Sequence, residues 1–166
     1  MISPGTELIM RRILWVVPLM AVLFSWQCSH YDALQQRGKE SSSGSSESHE
    51  FGNNCMECHN KSGSEAVIAG GWWNIAGSLY TSNGSGPYTD AVIELWSAPD
   101  RQGTLYYTLE VDQLGNFYTE KIIDYNGTCF PVVVNSSGDY KYMEHAFHSG
   151  ACANCHGNTE AVIMAP

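Results

Sequence analysis

Apolar and polar residues fall along this chain in stretches of distinct character. Near the start, Ile13-Leu14-Trp15-Val16-Val17-Pro18-Leu19-Met20-Ala21-Val22-Leu23-Phe24 is an unbroken apolar run. From Ser29 to Glu50 apolar side chains almost vanish. Between about Trp72 and Met143 short runs rich in Val, Ile, Tyr, Trp and Phe alternate with clusters of Gly, Pro, Asn, Asp and Ser, the pattern of strands separated by turns. The runs predict strands over Ile75–Tyr80, Ala91–Trp96, Leu105–Val111, Phe117–Ile123 and Pro131–Asn135. Turn signals lie between them, as in Ser82-Asn83-Gly84-Ser85-Gly86-Pro87 and Asp112-Gln113-Leu114-Gly115-Asn116. Strands at this spacing close into a sandwich, so the expected fold is mainly β, a Greek-key β-sandwich over residues 72–143.

The first run is too short to span a bilayer comfortably and follows Arg11 and Arg12, which is the layout of a secretory signal over residues 1–27. Met10, directly before the arginines, is a more natural start than Met1. Cys28 follows where a bacterial lipoprotein would be cleaved and acylated, although Trp26 and Gln27 depart from the small residues usual there. The alternative is a cysteine that stays free or is removed. Residues 28–50 are too polar to offset the entropy of their own ordering and read as a Ser/Gly-rich flexible tether, reaching about 25 Å as a coil. Removing residues 1–27 takes Glu7, Arg11 and Arg12 from 17 acidic and 8 basic side chains, which deepens the net charge from −9 to −10. Nucleic acid and anionic membrane surfaces are poor partners for such a chain, and basic patches on redox proteins are plausible ones.

Two copies of one pattern bracket the β-rich stretch: Cys55-Met56-Glu57-Cys58-His59 in residues 51–71 and Cys152-Ala153-Asn154-Cys155-His156 in residues 144–166. C-x-x-C-H is the attachment signature of c-type haem, in which the two sulfurs bond the porphyrin and the adjacent histidine ligates the iron. Two intervening residues bring both sulfurs to neighbouring edges of the macrocycle, and the next residue turns its imidazole toward the metal. One match alone is weak, because C-x-x-C also serves redox dithiols and zinc ribbons. Repetition with histidine following directly both times is far more specific. The expectation is two covalently bound haems, held by Cys55 and Cys58 and by Cys152 and Cys155, with His59 and His156 as proximal iron ligands. Two short, partly helical haem segments would pack together at one end of the sandwich, since domain termini are often close.

The runs Ile75-Ala76-Gly77-Ser78-Leu79-Tyr80, Ala91-Val92-Ile93-Glu94-Leu95-Trp96 and Val111-Asp112-Gln113-Leu114-Gly115-Asn116-Phe117-Tyr118 resemble the carboxypeptidase-regulatory-like, transthyretin-like β-sandwich. Flanked by C-x-x-C-H motifs, residues 52–160 look like the β-domain members of the bacterial dihaem and multihaem c-type cytochromes. That resemblance implies periplasmic or extracellular electron transfer, with no substrate turned over.

Candidates for the second axial position are His145 and His148, which share a face if Met143–His148 forms a helical turn, and His49 at the tether boundary. His30 reads as tether, and Met143 and Met164 are rival axial ligands that would raise the potential, with core or tail residues as the alternative reading. Cys129 has no visible partner and reads as a buried free thiol. Trp72 and Trp73 would pack on haem or plug the sandwich end. No nucleophile elbow or H-E-x-x-H context occurs, so an enzyme is not expected. Two other readings stay open: a surface binding module whose C-x-x-C-H pairs bind zinc as staples, and a haem sensor with one open iron position. Expected partners are redox proteins or further copies of the chain, acting as a tethered monomeric shuttle or alternatively as a polymer or filament, and a membrane reached through a lipid anchor. The expected location is outside the cytoplasm, at the cell surface, in the periplasm or beyond.

Overall fold

The computed structural model describes residues 38–60, 72–125, 127–147 and 149–166. The expected signal segment, Cys28, His30 and His148 lie outside the described residues. The strands are β1 (Ile75–Ser78), β2 (Ala91–Ala98), β3 (Gln102–Glu110), β4 (Asn116–Thr119), β5 (Phe130–Asn135) and β6 (Tyr140–Tyr142). They form two antiparallel sheets, a pair β1-β4 and a four-stranded sheet in the order β3-β2-β5-β6. All five expected strands form, although the fourth ends at Thr119 and not at Ile123, since Ile122 is exposed. β6 is additional.

The connections explain the register. Between β2 and β3 the chain turns through Asp100 and Arg101, both at positive φ, and Gln102 N–H donates to Pro99 O at 3.2 Å. Two such residues in succession match the right-handed twist of the flanking strands. Between β5 and β6 the loop closes through Gly138 at φ 89°, where glycine avoids the Cβ penalty. Asn135 accepts with its side chain from Ser137 and Asp139 N–H and holds that loop.

One core receives side chains from both sheets. Ile75, Leu79 and Phe117 come from the β1-β4 side, and Ile93, Leu95, Leu109 and Val133 from the larger sheet. Val111, Cys129 and Phe147 fill in from the connections. In β2 Ile93 and Leu95 enter the core, while Glu94 between them is also buried and is satisfied by an indole N–H bond from Trp96 (2.7 Å) and an ion pair with Arg101 (2.9 Å).

Every residue of β1 and β4 is buried, because both outer edges of this short pair are covered. Along β4 runs the stretch expected to be tether. Glu40 bridges Thr119, Ser41 N–H donates to Tyr118 O (2.9 Å), and Glu120 N–H donates to Lys39 O (2.9 Å). Further on, Gln113 N–H donates to Ser45 O, and the buried Ser48 hydroxyl accepts from Asn116 Nδ2. The tether expectation therefore does not describe residues 39–50. Ser41 and Ser48 there bury hydroxyls as partners for the sheet edge, a gain that a count of apolar residues omits. Along β1, Ala151 forms a parallel bridge to Ala76, whose N–H donates to Gly150 O at 2.9 Å.

Residues 143–147 do not form the helical turn expected to align His145 with His148. Phe147 is drawn into the core, with its N–H bonded to Cys129 O (2.9 Å), and this holds the segment open as bends. Among the described residues, no helix is long and apolar enough to cross a membrane.

Candidate cofactor site

The two C-x-x-C-H motifs adopt the same local structure. Cys55–Glu57 and Cys152–Asn154 are each a single 3-10 turn. In the first, the N–H groups of Cys58 and His59 both donate to Cys55 O. In the second, those of Cys155 and His156 both donate to Cys152 O. The His-to-Cys bond is 3.0 Å in each. Each leading thiol also donates to the carbonyl two residues before it, Asn53 or Gly150, at 3.7 Å. Such agreement follows from the shared spacing, since only a tight turn returns the histidine N–H to the first cysteine carbonyl.

The turns lie side by side. Asn54, which caps the first by accepting from Met56 N–H (3.3 Å), donates with Nδ2 to Asn154 Oδ1 of the second at 2.9 Å. The second turn rests directly on β1, where a Cβ added to Gly77 would stand 3.0 Å from Cys152 Cβ. In both motifs the first cysteine is half-buried and the second, Cys58 or Cys155, is exposed. The described thiols, Cys129 included, are all free. Burial pushes the Cys55 thiol up and carries Cys152 to about 12, so both stay neutral near pH 7.

The two motif histidines are oriented differently. His156 Nδ1 stands 2.7 Å from Ala161 O. A carbonyl only accepts, so Nδ1 carries the proton and the Nε2 lone pair is left for a metal. His59 is held instead by stacking. Its ring lies on Trp73 with centroids 3.8 Å apart and planes 3° from parallel, and Trp73 lies in turn on Tyr118 at 4.3 Å. Trp73 N–H donates to His59 O at 2.8 Å, which anchors the same contact through the backbone. His49 approaches from the β4-edge segment, its ring centroid 5.9 Å from that of His59. The structure thus joins Cys55, Cys58, His59 and His49 in one neighbourhood, with Cys152 and Cys155 adjoining.

The remaining candidates are not gathered in this way. His145 is exposed in the bends after β6, and Met143 packs against the core. Met164 bridges Tyr80 in a short parallel contact. Cys129 is fully buried, and burial pushes its thiol up to about 12. Among the described residues no group of three or more His, Cys, Asp or Glu side chains converges as a metal site. The donor set fits haem better, since each iron asks for one motif histidine while the sulfurs bond carbon. The Trp73–Tyr118 stack and the Asn54–Asn154 bond were not apparent from sequence, because each depends on which strands pair.

No family model matches this chain, and no curated protein or solved structure matches it either.

Proposed function

We propose that this chain is a dihaem c-type cytochrome, an electron carrier that works outside the cytoplasm and turns over no substrate. The observation that carries the reading is the pair of C-x-x-C-H turns with matching backbone bonds, set against each other through Asn54 and Asn154. Cys55 and Cys58 would hold one haem and Cys152 and Cys155 the other, with His59 and His156 as iron ligands. A bound haem supplies a one-electron couple, and the protein supplies attachment, ligand orientation and exclusion of water. The Ala161 carbonyl would keep His156 in its metal-binding tautomer, and Trp73 would fix the plane of His59. Two antiparallel sheets around one core are read as a transthyretin-like Greek-key sandwich, a rigid mount for both turns. Neighbouring haem sites give a short path between the two centres.

An apolar run after two arginines, then Cys28, supports export and a lipid anchor at the cell surface or periplasmic face. The acidic balance favours redox partners with basic patches, or further copies of the chain. The test is an absorption spectrum of protein matured in a host that attaches c-type haem, with a pyridine haemochrome count. Two haems per chain, low-spin and six-coordinate, are expected. Absence of a Soret band would refute the reading and favour a zinc-binding module, and a wholly high-spin spectrum would refute the carrier role and favour a sensor.

A further inference from the structure

The carrier reading requires a second strong ligand for each iron, and one histidine is placed to provide it. We infer that His49 is the second axial ligand of the iron held by His59, an inference that rests on the dihaem reading. A ligating imidazole nitrogen sits about 2 Å from its metal, with the ring centre ~1.2 Å further on, so two imidazoles sharing one metal have centroids at most about 6.4 Å apart, and closer when they are not collinear. The His49 and His59 centroids are 5.9 Å apart with planes 43° from parallel. Trp73 lies flat on His59, and a metal bound at a ring nitrogen lies in the imidazole plane off its edge, so the stack and the ligation are compatible.

The backbone explains why His49 returns over the motif. It stands six residues before Cys55, and the chain between them reverses tightly. Glu50 takes φ 54° and Gly52 φ 82°, and Asn53 N–H donates to Glu50 O at 3.0 Å. Gly52 N–H donates to Ser78 Oγ of β1 at 3.0 Å, and a Cβ on Gly52 would run into the Tyr80 hydroxyl. On the other side of the turn, the buried Asn116 amide donates to His49 O (3.2 Å) and Ser48 Oγ (2.9 Å). Asn116 Oδ1 accepts in turn from Ser78 Oγ at 2.6 Å. The segment that carries His49 is therefore pinned to β1 and β4, the same pair that positions Trp73 and Tyr118. Its ring is exposed and contributes nothing to the core.

The experiment compares holoprotein carrying His49→Ala, His49→Met or His145→Ala with the unsubstituted chain, after circular dichroism shows each folded. Haem per chain, spin state and carbon monoxide binding of the reduced form are measured. His49→Ala is expected to keep two haems, to show a high-spin component and to bind carbon monoxide at half of the haem, with added imidazole restoring the low-spin spectrum. His49→Met is expected to keep a six-coordinate spectrum and to raise the potential of one haem. His145→Ala is expected to leave the His59 haem unchanged. A His49→Ala protein that keeps two haems, stays wholly low-spin and excludes carbon monoxide overturns the inference and leaves the dihaem reading intact. If His49→Ala sheds haem, an unshifted potential in His49→Met overturns it instead. An unsubstituted protein without covalent haem refutes the dihaem reading, and the inference falls with it.

Discussion

Gly150→Ala tests whether the second C-x-x-C-H turn is mounted on β1 as closely as the geometry demands. An added Cβ would collide with the carbonyl oxygen of Asn74 and stand 2.7 Å from its carbon and 2.9 Å from Ile75 Cα. All three are backbone atoms, so no side chain can swing away. Relief requires the segment around Gly150 to lift from β1. That breaks the Ala76 N–H to Gly150 O bond of 2.9 Å, leaving a buried donor unsatisfied at a cost of about 1–3 kcal/mol. Residual overpacking adds about 1–3 kcal/mol. The expected loss is about 3 kcal/mol, which at the usual unfolding entropy of a domain this size lowers Tm by about 12 °C. Gly138→Ala is the informative comparison. Gly138 has φ 89° and nothing within 4 Å of a Cβ, so the cost there is the backbone strain that alanine introduces, about 1–2 kcal/mol. Thermal unfolding followed by far-ultraviolet circular dichroism gives both numbers. Equal losses in the two variants, or a Gly150→Ala loss below about 1 kcal/mol, would refute the claimed close contact.

Three further outcomes follow from other parts of the molecule. Burial raises the folded-state pKa of Cys129 from an ordinary 9.0 to about 12, so its contribution is fully present below pH 9 and is lost as pH climbs toward 12. Urea unfolding should show falling stability across that window and a shallower fall in Cys129→Ala, and an unchanged slope would contradict the burial. Trp73→Ala removes both faces of the His59–Trp73–Tyr118 stack and should cost about 2 kcal/mol in urea midpoint analysis, against an expected change near zero if the rings merely touch. Replacing Cys28 with Ser should release the protein from membranes without altering its spectrum, and unchanged membrane association would exclude Cys28 as the lipid site.

The strands could be read from sequence where a run of β-prone residues meets the core, as in Ala91–Ala98, which contributes Ile93 and Leu95. β6 escaped because Tyr140, Lys141 and Tyr142 are all exposed and are strand only by pairing with β5. β3 starts at Gln102, ahead of the expected Leu105, because Gln102, Gly103 and Thr104 are exposed and not apolar and join the strand through pairing with β2. Ser41 and Ser48 misled in the opposite direction: their composition suggested a solvated coil, while their hydroxyls pair with the β4 edge and with Asn116. The site divided in the same way. The cysteine and histidine spacing was visible in the chain, and the turns around it follow from local bonding. The placement of His49 beside His59, and of Trp73 between His59 and Tyr118, depends on β1 meeting β4, and no local pattern encodes that pairing.

The most direct measurement is the intact mass of the mature protein after acid–acetone extraction, produced in an exporting host that attaches c-type haem. The chain is expected to exceed its polypeptide mass by two haems, and Cys58→Ser and Cys155→Ser are each expected to weaken retention at one motif only. A mature chain at the bare polypeptide mass, with all haem removed by the extraction, would contradict the account.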